Sequence, residues 1–342
     1  MMTVEVLVTG GAGYIGSLMI PMLLERGCRV KCLDRFFFGK ETLKDVISNP
    51  NLELIRDDIR WFDPKILKTI DAVIDLASLS NDPTGELDPS KTYDINYLGR
   101  VRVAKFSKEY NVKRYILAST CSVYGFQEDI LDETSPTRPL TTYAKSNVLA
   151  EEDSKPLADE KFTVTILRQA TVYGLSPRMR FDLAINGMVL GAYKNKKIPV
   201  MRDGGQWRPF VHVKDTSKAF IKVLESPKDK VNGQIFNVGA NEQNTQILPL
   251  AELVKKTIPM PIEVEWYGTP DKRSYRVNFD KIRNVLGFTP EHTPKSGVRE
   301  VYRALETGEV TDSIKTRTVE WYKHLLEAHT VMQDVAFRGT IL

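Results

Sequence analysis

Short runs of consecutive apolar residues fill the first half of the chain, separated by stretches in which apolar residues recur every three or four positions. Val4–Thr9 (VEVLVT), Arg29–Leu33 (RVKCL), Leu52–Ile55, Ala72–Leu76 (AVIDL), Arg114–Ala118 (RYILA) and Thr163–Leu167 (TVTIL) predict strands. Runs this uniformly apolar suit strands buried on both faces. Between them Gly16–Arg26, Tyr93–Tyr110 and Tyr143–Leu157 carry helical periodicity. The alternation predicts an α/β fold: a Rossmann-type, doubly wound parallel sheet with helices on both faces. After Gly174 the texture changes to short pieces rich in Pro, Gly and basic residues, such as LSPRMRF and KNKKIPVMRDGGQWRP. Strand-like and helix-like pieces return at Phe210–Val213, Thr216–Leu224 and Gln234–Val238, and Leu248–Lys256 and Thr316–His329 read as helices. The expected organisation is a nucleotide-binding domain over 1–174, rejoined by 210–238, with a smaller interleaved substrate domain over 175–209 and 239–342.

Composition narrows the partners. The chain has 342 residues, 42% hydrophobic and 27% charged, as in an ordinary globular protein. Its 48 basic and 44 acidic residues leave a net charge of +4, too little to argue for nucleic acid or a membrane surface. No run approaches the roughly 18 apolar residues of a membrane span. The opening MMTVEVLVTGG reads as a strand entering glycines and not as a signal peptide, so a cytoplasmic location is expected. Cys28, Cys32 and Cys121 are odd in number and lack CxxC spacing, and the four histidines lie far from them; no metal site is expected.

Chemistry begins at Thr9-Gly10-Gly11-Ala12-Gly13-Tyr14-Ile15-Gly16, between the first strand and first helix. Such glycines permit a tight turn, backbone approach to a pyrophosphate and close helix–strand packing, while the helix N-terminus offers donors and a positive dipole. Asp34 follows the next strand, where an acid accepts from a ribose diol and repels a 2′-phosphate. The constellation points to NAD; Arg35 beside it is the counter-signal for NADP. Asp58 and Ile59, after the third strand, are placed to flank the adenine. Further on, Thr120 lies just past the fifth strand and Tyr143 opens a helix. A hydroxyl and a phenol meeting at one substrate oxygen suit oxidation of a carbinol, because tyrosine can take the proton once a nearby positive charge lowers its pKa.

With these motifs the sequence resembles the extended short-chain dehydrogenase/reductase family, in particular its nucleotide-sugar epimerases and dehydratases. TGGAGYIG at 9–16 matches the glycine loop, and Leu76-Ala77-Ser78 resembles the segment lying along the cofactor. Asn96 resembles the helix asparagine that supports the active site, and STCSVYG resembles the motif that puts the catalytic hydroxyl on Thr120. Arg208 and Arg273 stand where the family grips the nucleotide phosphates. The resemblance further implies substrate contacts from Ser122, Thr171, Arg180 and Asn186, and a homodimer built on the helices at 93–110 and 143–157. The implied ligands are NAD and a nucleoside diphosphate sugar.

Two departures shape the expected reaction. The family's Tyr-x-x-x-Lys reads here as Tyr143-Ala-Lys-Ser-Asn147. Lys145 cannot stand in, because residues two apart point to different sides of a helix. Three readings stay open: slow or high-pH catalysis, compensation by another cation, or a silent relative that binds without turnover. The sequence also predicts that Asn147→Lys raises turnover. Second, the family's 4,6-dehydratases carry Asp and Glu after the catalytic threonine, and its uronic-acid decarboxylases carry Glu at the second of these positions. Here Cys121 and Ser122 stand there, as in epimerases, which have small residues. The expected activity is epimerisation through a transient keto sugar, at C4; release of keto sugar and NADH by a dehydrogenase is the alternative.

Overall fold

The computed structural model describes residues 4–337, 339 and 340; residues 1–3 and 341–342, the outer ends of the two expected domains, lie outside the described residues. Strand β1 (Glu5–Thr9) runs through a glycine turn into α1 (Gly16–Glu25), and β2 (Arg29–Asp34), β3 (Leu52–Arg56) and β4 (Ala72–Asp75) follow. Two short helices, α2 (Asp82–Gly85) and α3 (Pro89–Tyr93), lead through a π-helical turn (Asp94–Gly99) into α4 (Arg100–Glu109). Next come β5 (Arg114–Thr120), β6 (Phe126–Leu131), α5 (Thr142–Ser154), β7 (Thr163–Gln169), β8 (Thr171–Tyr173) and α6 (Ala184–Asn195). The remainder holds β9 (Lys197–Met201), β10 (Trp207–His212), α7 (Val213–Glu225), α8 (Lys228–Val231), β11 (Gln234–Val238), β12 (Asn244–Gln246) and α9 (Ile247–Thr257). Last are β13 (Glu263–Tyr267), β14 (Ser274–Val277), α10 (Asp280–Leu286), α11 (Pro294–Glu306) and α12 (Thr318–Val335).

The large sheet has the order β11-β7-β5-β4-β1-β2-β3, with every pairing parallel. All six predicted strands lie in it, as does the predicted segment Gln234–Val238. The pleat divides each apolar run between two cores. Val6 and Val8 pack with α1 and α7, while Leu7 faces the opposite side with α4 and α5. Chain order reverses between β1 and β4, and a doubly wound sheet opens its binding crevice at that point, outside the carboxyl ends of the strands.

Three differences from the sequence reading bear on the site. The helix expected over 93–110 is interrupted by the π turn. Of the stretch 210–238, β11 joins the large sheet, but β10 pairs with β8 and β12 in a separate three-stranded sheet. The chain breaks out of β7 at Ala170, whose N–H still bonds Val238, and β8 leads toward the second core. The short strands β6 and β14 also pair in parallel, tying residues 126–131 to 274–277. They bring the segment carrying Arg273 back beside Thr120 and Ser122.

Candidate active site

A cleft of about 880 Å³ runs from the glycine turn to the β10–β14 region. At one end Gly10 sits at φ +65°, and a Cβ there would lie 2.8 Å from the backbone of Ala77. Gly16 packs against Gly11, where a Cβ would come within 2.5 Å of the Gly11 carbonyl oxygen. Only glycine permits this close strand–turn–helix approach. Gly13, Tyr14 and Ile15 complete that wall, and Leu76, Ala77 and Ser78 form the facing one. The Ser78 hydroxyl is buried without a protein partner.

The Asp34 carboxylate accepts from the N–H groups of Ala12 (3.0 Å) and Phe36 (2.7 Å). These bonds fix it at the end of β2, facing the cleft. Arg35 turns away from it and donates to Asp58 at 2.8 Å, beside Arg60 at 2.9 Å. Burial alone would raise the Asp58 carboxyl, but the two guanidiniums outweigh it and hold it at about 2. With Arg35 committed to Asp58, the counter-signal for a 2′-phosphate weakens. Ile59 lines the cleft next to this pair.

At the centre, Thr120 ends β5 and accepts from the Ser122 N–H at 3.1 Å. Tyr143, the second residue of α5, lines the cleft together with Thr120. Burial pushes its phenol above the ordinary tyrosine value, Asp82 adds to the rise, and Arg100, Thr120 and Arg180 oppose it. The position after Thr120 is filled by Cys121, buried with its thiol toward the Arg168 carbonyl at 3.4 Å. Ser122 faces the cleft 3.4 Å from the Tyr275 hydroxyl, and Thr171 also lines it. Neither position after Thr120 brings a carboxyl group.

Arg208 and Arg273 close the far end. Both pair with Asp271, Arg208 at 2.8 Å and Arg273 at 2.6 Å, and Arg273 also pairs with Asp82. Arg180 lines the cleft and forks onto Asp182 at 2.7 and 3.1 Å. Three asparagines expected at the site lie behind its walls. Asn96 exchanges hydrogen bonds with both backbone groups of Leu79. Asn186 accepts from Gly174 N–H and donates to Tyr14 and the Arg180 carbonyl. Asn147 is buried, donating to the Tyr143 carbonyl at 2.8 Å and accepting from Arg100 at 2.9 Å. Each amide braces backbone and none of the three lines the cleft, which spacing alone does not reveal.

The last helix is readable in the sequence over 316–329, but its place beside the cleft and beside Arg178 is not. The Arg178 guanidinium stacks 3.6 Å from the Phe38 ring and donates to Thr318 at 2.9 Å; its Nε and Nη1 are buried without partners. Helix α12 lies beside it, with the Trp321 indole donating to Phe37 O at 2.8 Å and the Tyr322 ring against Phe37 and Phe38. The orphaned donors of Ser78 and Arg178, the glycine cradle and the acidic end of β2 together suit a long polar anionic ligand such as a dinucleotide.

Comparison with known proteins agrees with this geometry. The profile of the NAD-dependent epimerase/dehydratase family matches residues 6–239. A protein of Methanocaldococcus jannaschii provisionally named a UDP-glucose 4-epimerase is 30% identical over 305 residues, covering 86% of this chain and 96% of that one. UDP-glucuronic acid decarboxylase 2 of Arabidopsis thaliana is 29% identical, covering 86% of this chain and 66% of that protein. The Bacillus cereus UDP-glucuronic acid 4-epimerase, solved with UDP-glucuronic acid and NAD, superposes with a TM-score of 0.80 at 24% identity, over 89% of this chain and 99% of that one.

Proposed function

This chain belongs to the NAD-dependent epimerase/dehydratase family, and from that premise we propose that it is a nucleotide-sugar epimerase that inverts a ring carbon, C4, through a transient ketone. The observation that carries the reading is that Thr120 and Tyr143 line the same cleft, with Cys121 and Ser122 following Thr120 where no carboxyl group is offered. The Thr120 hydroxyl holds the reacting hydroxyl, and Tyr143 takes its proton as the C–H bond breaks. Bound NAD supplies reversible two-electron redox at its nicotinamide. Gly10–Gly16, Asp34 and Ser78 are the residues that hold it. Arg208 and Arg273 hold the diphosphate by guanidinium–phosphate hydrogen bonds. Loss of water would need a further base and acid, and loss of carbon dioxide from a C4-keto uronic acid would need an acid to protonate C5 afterwards. Asp82, which faces Tyr143, is engaged by Arg273 and Thr141.

Incubation with NAD and a panel of UDP-, dTDP-, GDP- and CDP-sugars is expected to give the C4 epimer by NMR with no accumulating NADH. Stoichiometric NADH with a keto sugar would establish a dehydrogenase instead. The pH dependence is a second test. A base whose pKa is raised is active only in its scarce deprotonated form, so activity increases with pH. kcat/KM is expected to climb by up to about tenfold per pH unit through neutrality and past the ordinary tyrosine value. A profile flat from neutral to alkaline pH would show that Tyr143 is not the titrating base.

A further inference from the structure

Positive charge close to a tyrosine enlarges the deprotonated fraction that acts as a base at any given pH; its relevance rests on the reading of Tyr143 given above. Helix α5 supplies none on that face. The residue one turn on is Asn147, and Lys145 points to solvent. A cation arrives instead from α4. Arg100, its first residue, is 0% exposed. Its Nη1 donates to Asn147 Oδ1 at 2.9 Å, and its Nη2 donates to the backbone carbonyls of Asp75 (3.2 Å) and Ala118. Asn147 donates in turn to the Tyr143 carbonyl at 2.8 Å. The guanidinium is therefore pinned between the carboxyl ends of β4 and β5 and the inner face of α5, two residues along β5 from Thr120.

We propose that Arg100 and Asn147 work as one unit, in which the guanidinium of Arg100 is the fixed positive charge that serves Tyr143 and Asn147 is the neutral side chain that holds it there. Arg100 is thus a positioning residue, acting on Tyr143 through its field.

The surrounding charges support this assignment. The other charged groups facing Tyr143 are Asp82 from α2 and Arg180 from the segment before α6. Arg180 is spent on Asp182, and Asp82 on Arg273 and Thr141. Beside Arg100, the Asp75 carboxylate accepts the hydroxyls of Thr9 and Tyr115, each at 2.6 Å. Its Oδ1 is 3.9 Å from the Arg100 Nε, which has no hydrogen-bond partner. No N–H of Arg100 bonds a carboxylate directly, so its charge is only partly compensated. A buried charge held mainly by neutral acceptors is costly, and at this distance from solvent its field is weakly screened.

The arrangement reverses the expectation for Asn147→Lys. A lysine at 147 would press a second buried cation against Arg100, so the single variant is expected to melt lower and turn over more slowly than wild type. The test compares Asn147→Lys, Arg100→Met and the double variant Arg100→Met/Asn147→Lys. Arg100→Met is expected to move the kcat/KM profile to higher pH, with about tenfold less activity at neutral pH for every pH unit that the profile moves, and to regain rate at high pH; a purely structural loss would lower the rate equally at every pH. The double variant, which keeps one buried cation, is expected to return the profile to that of wild type, and it decides the matter if Arg100→Met does not fold. In the cofactor-free protein, ¹³C NMR of the Tyr143 ring, assigned with Tyr143→Phe, is expected to show the same upward displacement of the titration in Arg100→Met and its reversal in the double variant. An unmoved Tyr143 titration in folded Arg100→Met, a folded double variant whose profile stays at the higher pH, or a folded Asn147→Lys faster than wild type would overturn the proposal. If no nucleotide sugar is turned over, the proposed function falls, and the NMR titration still decides the role of Arg100.

Discussion

Replacing Tyr143 by phenylalanine is expected to slow sugar interconversion by about 10²–10⁴-fold, the usual contribution of a positioned acid–base group. The fold should survive. The structural bonds at this residue use its backbone carbonyl, which accepts from Ser146 (2.9 Å) and Asn147 (2.8 Å), whereas the residue itself lines the cleft. Nucleotide binding should also survive, because Arg208 and Arg273 are held by Asp271 and not by Tyr143. Rates measured by NMR, together with UDP binding by calorimetry, check both halves. A variant within tenfold of wild type would move the base to another residue.

The largest loss of stability is expected from Glu151→Ala. Glu151 lies on α5, two turns beyond Tyr143, and meets Arg168 of β7 through bonds of 2.6 and 3.1 Å; it also accepts the Ser119 hydroxyl. Both side chains of the pair are almost wholly buried. Removing the carboxylate leaves the Arg168 charge in the core, which typically costs about 3–5 kcal/mol. Urea unfolding measures it. Replacing both partners with apolar residues, as in Glu151→Leu/Arg168→Met, is expected to cost less than the single change, because no unpaired charge remains. Equal losses would mean that the pair contributes by packing alone. The ion pair also anchors the helix of Tyr143 to the strand next to that of Thr120, so turnover in Glu151→Ala should fall along with stability.

Much of this layout is legible in the chain. The six apolar runs are readable because a strand covered on both faces needs apolar side chains on both. The glycine turn is readable because backbone packing at Gly10 and Gly16 tolerates no Cβ. Thr120, Tyr143, Arg208 and Arg273 are expected in one cleft and line one cleft. What stays hidden depends on long-range placement. An amide suits a ligand or a backbone carbonyl equally well, so Asn186 reads as a substrate contact from sequence, and what Asn147 holds cannot be read there at all. Arg100 sits in Arg-Val-Arg-Val-Ala-Lys, where a basic residue in a helix reads as a solvated face. Its acceptor is 47 residues away in sequence. Helix α12 can be read as a helix, but its contacts with Phe37 and Phe38 join opposite ends of the chain.

The π turn at Asp94–Gly99 sets the phase of the helix that follows it. A π turn accommodates one residue more than an α-helical turn. Shortening it by a single residue would rotate α4 by about 100° about its axis, carrying the guanidinium out from beneath α5 and bringing a neighbouring side chain, such as that of Val101, toward its place. Which side chain lies beneath Asn147 is thus governed by chain length as well as by residue identity. A one-residue insertion or deletion here, away from Ile95, would change the electrostatics of the active site without replacing a residue that lines it.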